Sequence, residues 1–186
     1  MSSGKSPSGT RQRLVAAAAD AFNAHGFHGT DTNKIARAAG FAPQTFYRHF
    51  EDKLAVFVAV YEAWQDSERA AVRAAAYEAD PDAAIARTSV QHHRNWRGFR
   101  RSLRLLALEE PRIRAARAES RERQLAALAK APGNKRRSKA ELTAALLKVE
   151  RVCDALADDE LADLGINVED AEALAVEAIR QARGRT

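Results

Sequence analysis

The residues best equipped for chemistry in this chain lie within ten positions of one another. Gln44, Thr45 and Arg48 carry an amide, a hydroxyl and a guanidinium, at a spacing that gathers them on the outer side of a short helix. These groups can read base edges: glutamine pairs with adenine, threonine touches a thymine methyl, and arginine reaches guanine or a phosphate oxygen. Tyr47, His49 and Lys53 add a phenol, an imidazole and an ammonium. A lysine in the first turn of a helix opposes the positive end of the helix dipole. Lys53 therefore implies a second purpose, and a phosphate is its natural partner. His49, and Thr30 as a cap ahead of the preceding helix, are further phosphate candidates. Nothing comparable supports catalysis. The chain lacks a phosphate-cradling glycine loop, a nucleophile elbow and clustered metal ligands. His92 and His93 are adjacent, so they project in different directions and make a poor chelating pair. No enzymatic activity, cofactor or metal is expected.

Base-reading side chains must be held at a fixed angle, and the elements around them are arranged to do that. Thr10 caps a first helix in which Leu14, Ala18, Ala21 and Phe22 repeat at helical spacing, and Gly26 stops it after His25. Thr30 caps a short second helix with Ile35, Ala36 and Ala39 inward, ended by Gly40. Pro43 opens a third, where a missing N–H costs no hydrogen bond, and Phe46 and Phe50 supply its buried side. Asp52 caps a fourth helix with the apolar stripe Leu54, Phe57, Val58, Tyr61 and Trp64. Two short helices joined by a three-residue turn, Gly40-Phe41-Ala42, form the helix-turn-helix pattern. Ala36 is small enough for the two helices to cross closely.

Over about Thr10 to Trp64 the sequence resembles the TetR family, through the Ile35-Ala36 pair, the Gly40 turn and the run Tyr47-Arg48-His49-Phe50-Glu51-Asp52-Lys53. It departs from the family pattern in two places. Ala42 stands where Ser or Thr is usual, which forgoes a cap of about 1 kcal/mol, and Leu54 stands where Glu is common. The resemblance implies an all-α fold of about nine helices, with a DNA-binding domain over 10–52 and a helical effector-binding and dimerisation domain over 53–186, behind a disordered basic tail at 1–9. It also implies a homodimer on double-stranded operator DNA, a Tyr47 hydroxyl on phosphate, and a repressor released by a small molecule.

Beyond the motif the chain continues as helix formers: Asp80-Pro81 to about Trp96, a stretch from Gly98 to Glu109, Pro111 to about Lys130, Ser138 with Glu141 as a capping box, and Asn167 to about Ala182. Tyr61, Trp64, His92, His93, Trp96, Phe99, Arg100 and Leu103 are candidates to line an effector pocket. Leu142, Leu146, Val149 and Cys153 form one apolar face and Ala171, Leu174 and Ala178 another, which two chains could bury against each other. The alternative is that both faces pack within one chain. Net charge is +5, distributed as +3, −3, +10 and −5 over residues 1–55, 56–93, 94–137 and 138–186. The arginines of the third segment read as a solvated face, with Glu110–Arg114 and Glu119–Arg123 as helix pairs, or as the seat of an anionic effector. Lys5, Arg11 and Arg13 are candidates for backbone or minor-groove contact. With one cysteine, no signal-peptide stretch and no run of membrane length, the chain is expected in the cytoplasm, at the nucleoid when bound to DNA. Two other readings compete with the ligand-responsive repressor. One is a DNA-binding protein without an effector, which a filled body would favour; the other is a helical enzyme or binding protein that keeps the motif only as packing.

Overall fold

The computed structural model describes residues 7–185; Lys5 and the rest of the expected tail up to residue 6 lie outside them. Alanine, leucine, arginine and glutamate dominate the segments between the Gly and Pro breaks, and all favour helix. The described residues accordingly contain α1 (Pro7–His25), α2 (Thr32–Ala38), α3 (Pro43–Tyr47), α4 (Lys53–Ala75), α5 (Pro81–Asn95), α6 (Arg97–Glu109), α7 (Pro111–Ala129), α8 (Lys139–Ala157), α9 (Glu160–Asp163) and α10 (Val168–Ala182). No strand occurs among them. The fold is all-α, with one helix more than expected. The addition is α9, a single turn that follows Asp159 in a left-handed conformation, φ 62°.

The capping residues fall largely where the sequence places them. Asp52 accepts from the Ala55 amide at 2.7 Å, Ser138 and Glu141 cap each other reciprocally, and Asn167 accepts from Asp170. Gly26 and Gly40 adopt φ +69° and +75°, the left-handed region that glycine enters without steric cost. Two caps differ. α1 begins at Pro7, so Thr10 lies inside it, and α2 is capped by Asp31, whose carboxylate accepts from the Lys34 amide.

The chain forms two compact units. The first comprises residues up to Gln65 together with Gly98–Arg117; the second comprises Asp66–Arg97 and the chain from Ala118 onward. The first unit is cored by aromatic rings. Phe22 meets Phe57 edge-on at 5.0 Å, and Phe57 meets Phe99 at 4.7 Å, with Leu14, Ile35, Phe46 and Leu103 fully buried around them. Each such side chain contributes roughly 1.5–3 kcal/mol through removal from water.

In the second unit α5, α8 and α10 pack mutually over an alanine-rich core that includes Ile85, Val90, Cys153, Leu156 and Ile179; small side chains permit this close approach. His93 lies between two carboxylates within that packing, Nδ1 2.9 Å from Asp154 and Nε2 3.4 Å from Glu68. Buried Asp82 holds Arg183 at 2.5 Å and Arg185 at 3.2 Å. This packing corrects the expected dimer faces. Leu142 and Leu146 pack on Leu125, Cys153 and Ala171 belong to the α5–α8–α10 core, and Ala178 is 1% exposed. These five meet the chain's own helices and offer nothing to a partner. Val149 is half-buried against the same core, whereas Leu174 is 45% exposed.

Candidate DNA-binding site

α3 is held from below by Phe46, which is fully buried, while Gln44, Tyr47 and Arg48 are exposed and Thr45 and His49 half-buried. Its first turn has no side-chain cap, since Ala42 stands at the N-cap in an extended conformation. The turn before it is fixed by other means. Arg13 donates to the Ala39 carbonyl at 2.7 Å and lies over the Phe41 ring at 4.7 Å. A side chain at position 40 would meet that guanidinium at 2.9 Å. Arg11 lies over the Phe50 ring at 5.0 Å. Both arginines thus brace the motif instead of extending towards a backbone or minor groove.

The Tyr47 hydroxyl, on a side chain 57% exposed, lies 2.9 Å from the Thr32 hydroxyl in the first turn of α2. One hydroxyl donates to the other in this contact, which leaves the pair a single O–H still able to donate, together with acceptor capacity on both oxygens, at the edge of the motif. Sequence reasoning missed Thr32, because a contact across fifteen residues leaves no periodic trace.

Two of the phosphate candidates, Thr30 and Lys53, are committed to partners within the chain. Thr30 is 3% exposed, and its hydroxyl donates to the Ala21 carbonyl at 3.2 Å, tying the end of α1 to the start of the motif. The Lys53 ammonium donates to the carbonyls of Phe27 at 2.8 Å and Thr30 at 2.9 Å and sits 4.1 Å from the centre of the Phe27 ring. Its apparent conflict with the helix dipole is resolved by these carbonyls. Partial burial holds its pKa below the usual lysine value, only partly offset by the Asp31 charge. At Asp52, burial acts to raise the carboxyl, but the Ala55 amide and the Arg112 guanidinium at 2.5 Å outweigh it and leave the pKa below the ordinary carboxylate value.

The arrangement is a brace of polar contacts beneath an exposed amide, phenol and guanidinium, with no metal-binding group of His, Cys, Asp and Glu among the described residues. A family model described as bacterial regulatory proteins, tetR family, matches residues 14–60, the stretch that holds the motif. This DNA-binding domain belongs to the TetR family. The HTH-type transcriptional regulator UidR of Escherichia coli K12 is 38% identical over 64 residues, 34% of this chain and 32% of that protein. The uncharacterized HTH-type transcriptional regulator YdgC of Bacillus subtilis is 42% identical over 48 residues, 26% of this chain and 25% of that protein. The matches thus span about a quarter to a third of these curated relatives. Likeness of fold extends further. Salmonella enterica GusR superposes with a TM-score of 0.70 at 20% identity, covering 97% of this chain and 98% of that one. The fatty acid degradation regulator FadR of Bacillus halodurans gives 0.63 at 18%, covering 94% of each. The fold and the family of the DNA-binding domain are those of regulators and not of enzymes.

The expected effector residues are divided between the two units. Tyr61, Trp64, Phe99, Arg100 and Leu103 are buried in the first unit, with Arg100 4.8 Å over the Trp64 ring and Tyr61 stacked on Trp64. They fill a core. His92, His93 and Trp96 belong to the second unit, where His93 is spent on its carboxylates and His92 lies 6.3 Å from Trp96. A groove of about 650 Å3 in that unit is floored by Ala86, Val90 and Ala175 and rimmed by Arg87, Arg94 and His92; His92 alone among the eight candidates lines it. In the arginine-rich segment, Glu119 pairs with Arg123 at 3.0 Å as expected. Arg114 turns to the Leu108 carbonyl and not to Glu110, and Arg121 pairs with Glu150. No helix among the described residues is long and apolar enough to cross a membrane.

Proposed function

We propose that this chain is a homodimeric transcriptional regulator that reads operator DNA through α3 and is released from it by a small molecule held in the helical body. One observation carries the reading: a short helix, anchored by buried Phe46, presents Gln44 and Arg48 outward beside the Tyr47–Thr32 hydroxyl pair. Gln44 and Thr45 contact base edges, Arg48 a base or a phosphate, and Tyr47, with Thr32 beside it, a phosphate oxygen; His49 is a further phosphate ligand. Such a protein works in the cytoplasm, at the nucleoid. Its effector is small and apolar or anionic, as suits the groove with an alanine and valine floor and the guanidiniums of Arg87 and Arg94 at its rim. The dimer uses α8 and α10, with Leu174 at the seam.

The test is selection of DNA fragments from a genomic pool by the purified protein, followed by a metabolite screen for release. Enrichment of a near-palindromic site supports the reading. Retention of DNA without any common sequence sinks it.

A further inference from the structure

The brace beneath the motif does not end with the N-terminal helices. α6 begins at Arg97, and the first amides of a helix have no partner within it. The Phe99 amide, in that first turn, donates to the Asn23 side-chain oxygen at 3.2 Å, so a residue of α1 caps α6 across 76 positions of sequence. The exchange is reciprocal. The Phe27 amide, just past the end of α1, donates to the Ser102 hydroxyl of α6 at 3.0 Å. Gly98 makes room for both: a side-chain carbon there would lie 2.0 Å from the Asn23 carbonyl oxygen, far inside contact distance, and the obstructing atom is backbone.

The same turn is held from its other side by Lys53, on the carbonyls of Phe27 and Thr30, and by the Thr30 hydroxyl on Ala21. Asp31, the next residue, caps α2, and Thr32 of α2 touches Tyr47 of α3. Hydrogen bonds at both ends, joined by the backbone of residues 27–32, thus link α6 to the exposed phenol.

We infer that Asn23, Gly98 and Ser102 are positioning residues for operator binding: they touch no DNA, and they set the place from which α2 and α3 start. The inference rests on the operator reading proposed above. A loose turn leaves phosphate attraction intact and blurs the placement of base-reading groups, so its signature is lost discrimination and not lost binding.

The experiment uses the full-length chain and two equal-length duplexes, one carrying the site that the wild-type protein selects from a random pool and one of scrambled sequence. Asn23→Leu and Ser102→Ala are each expected to weaken binding to the selected duplex about tenfold, as loss of one part-buried acceptor does. Binding to the scrambled duplex stays within twofold. Asn23→Asp and Ser102→Thr, which keep the acceptor oxygen, hold the selected site within twofold of wild type, and Gly98→Ala gives the largest loss. Equal weakening on both duplexes, or no weakening on either, overturns the inference. Hydrogen exchange without DNA provides a second readout: amides 27–32 exchange faster in Asn23→Leu while those of α8 and α10 are unchanged. Failure of the wild type to select any site removes the operator reading. Unchanged exchange at 27–32 in the variant removes the positioning role whatever the DNA result.

Discussion

Gln44 and Lys53 are nine residues apart and fail in different ways. Gln44 is exposed on the outer face of α3, so Gln44→Ala should weaken binding to a selected operator by about 1–3 kcal/mol, the usual value of one good base contact. Its effect on scrambled DNA should be small, and equal losses in a side-by-side titration would remove it from base reading. Lys53 spends two donors on the Phe27 and Thr30 carbonyls. Lys53→Met should therefore lower the melting temperature and site discrimination while leaving the slope of log affinity against log salt unchanged. A slope reduced by about one unit would return Lys53 to the phosphates. The sequence made Lys53 legible as an anomaly, a cation at the wrong end of a helix, but could not show which negative groups answered it. Backbone carbonyls at a turn twenty-six and twenty-three residues earlier have no sequence signature. Thr32 was invisible for the same reason, whereas Gln44, Thr45 and Arg48 were legible because helical spacing alone fixes which side of α3 they occupy.

At the scale of elements, caps and breaks were legible because each acts within four residues. Gly26, Gly40, Pro43, Asp52, Ser138 and Asn167 all stand at the ends they signal. α9 was not, since four residues show no period, and the contribution of α6 to the first unit depends on folding that spacing does not encode. Ala42 is the weakest link in the motif: its backbone, φ −68° and ψ 151°, already suits an N-cap, so Ala42→Ser should stabilise the first unit by about 1 kcal/mol. A melting temperature unchanged or lowered would show that the exposed position carries some other constraint. Asp52 links two elements, capping α4 and pairing with Arg112 of α7. Its pKa is lower in the folded chain than in the unfolded one, so protons bind the unfolded state more readily. The stabilisation is therefore full above about pH 4, the unfolded value, and is lost as pH falls through the folded one. Asp52→Asn should flatten the acid limb of a stability–pH curve between roughly pH 5 and 2 relative to wild type. An acid limb of wild-type steepness would assign acid sensitivity to other carboxylates.

For the whole molecule, the two-fold operator proposed above would require a two-fold protein, and the proposed seam must use whatever apolar surface α8 and α10 leave exposed. Their apolar periodicity was legible in the sequence, but periodicity cannot distinguish a helix packed on its own chain from one packed on another. The structure spends Leu142, Leu146, Cys153, Ala171 and Ala178 on the chain's own core. Leu147 of α8, with Val168 and Leu174 of α10, 42%, 67% and 45% exposed, are the large apolar side chains that these two helices leave to solvent. Substitutions on the two kinds of position should separate cleanly. Leu146→Glu would bury an unpaired charge within a single chain and unfold it, with loss of helical signal. Leu147→Glu and Leu174→Glu together should leave the helical signal intact and shift sedimentation from dimer to monomer at micromolar concentration. Operator affinity falls with that shift, because a monomer presents one recognition helix where the dimer presents two about 34 Å apart, or a longer whole-turn distance, on the palindrome. A half-site duplex, which needs only one α3, should be bound equally by the wild type and the double variant. If the double variant sediments as a dimer and binds the full operator like wild type, α8 and α10 are not the seam, and the partner must be sought on another face.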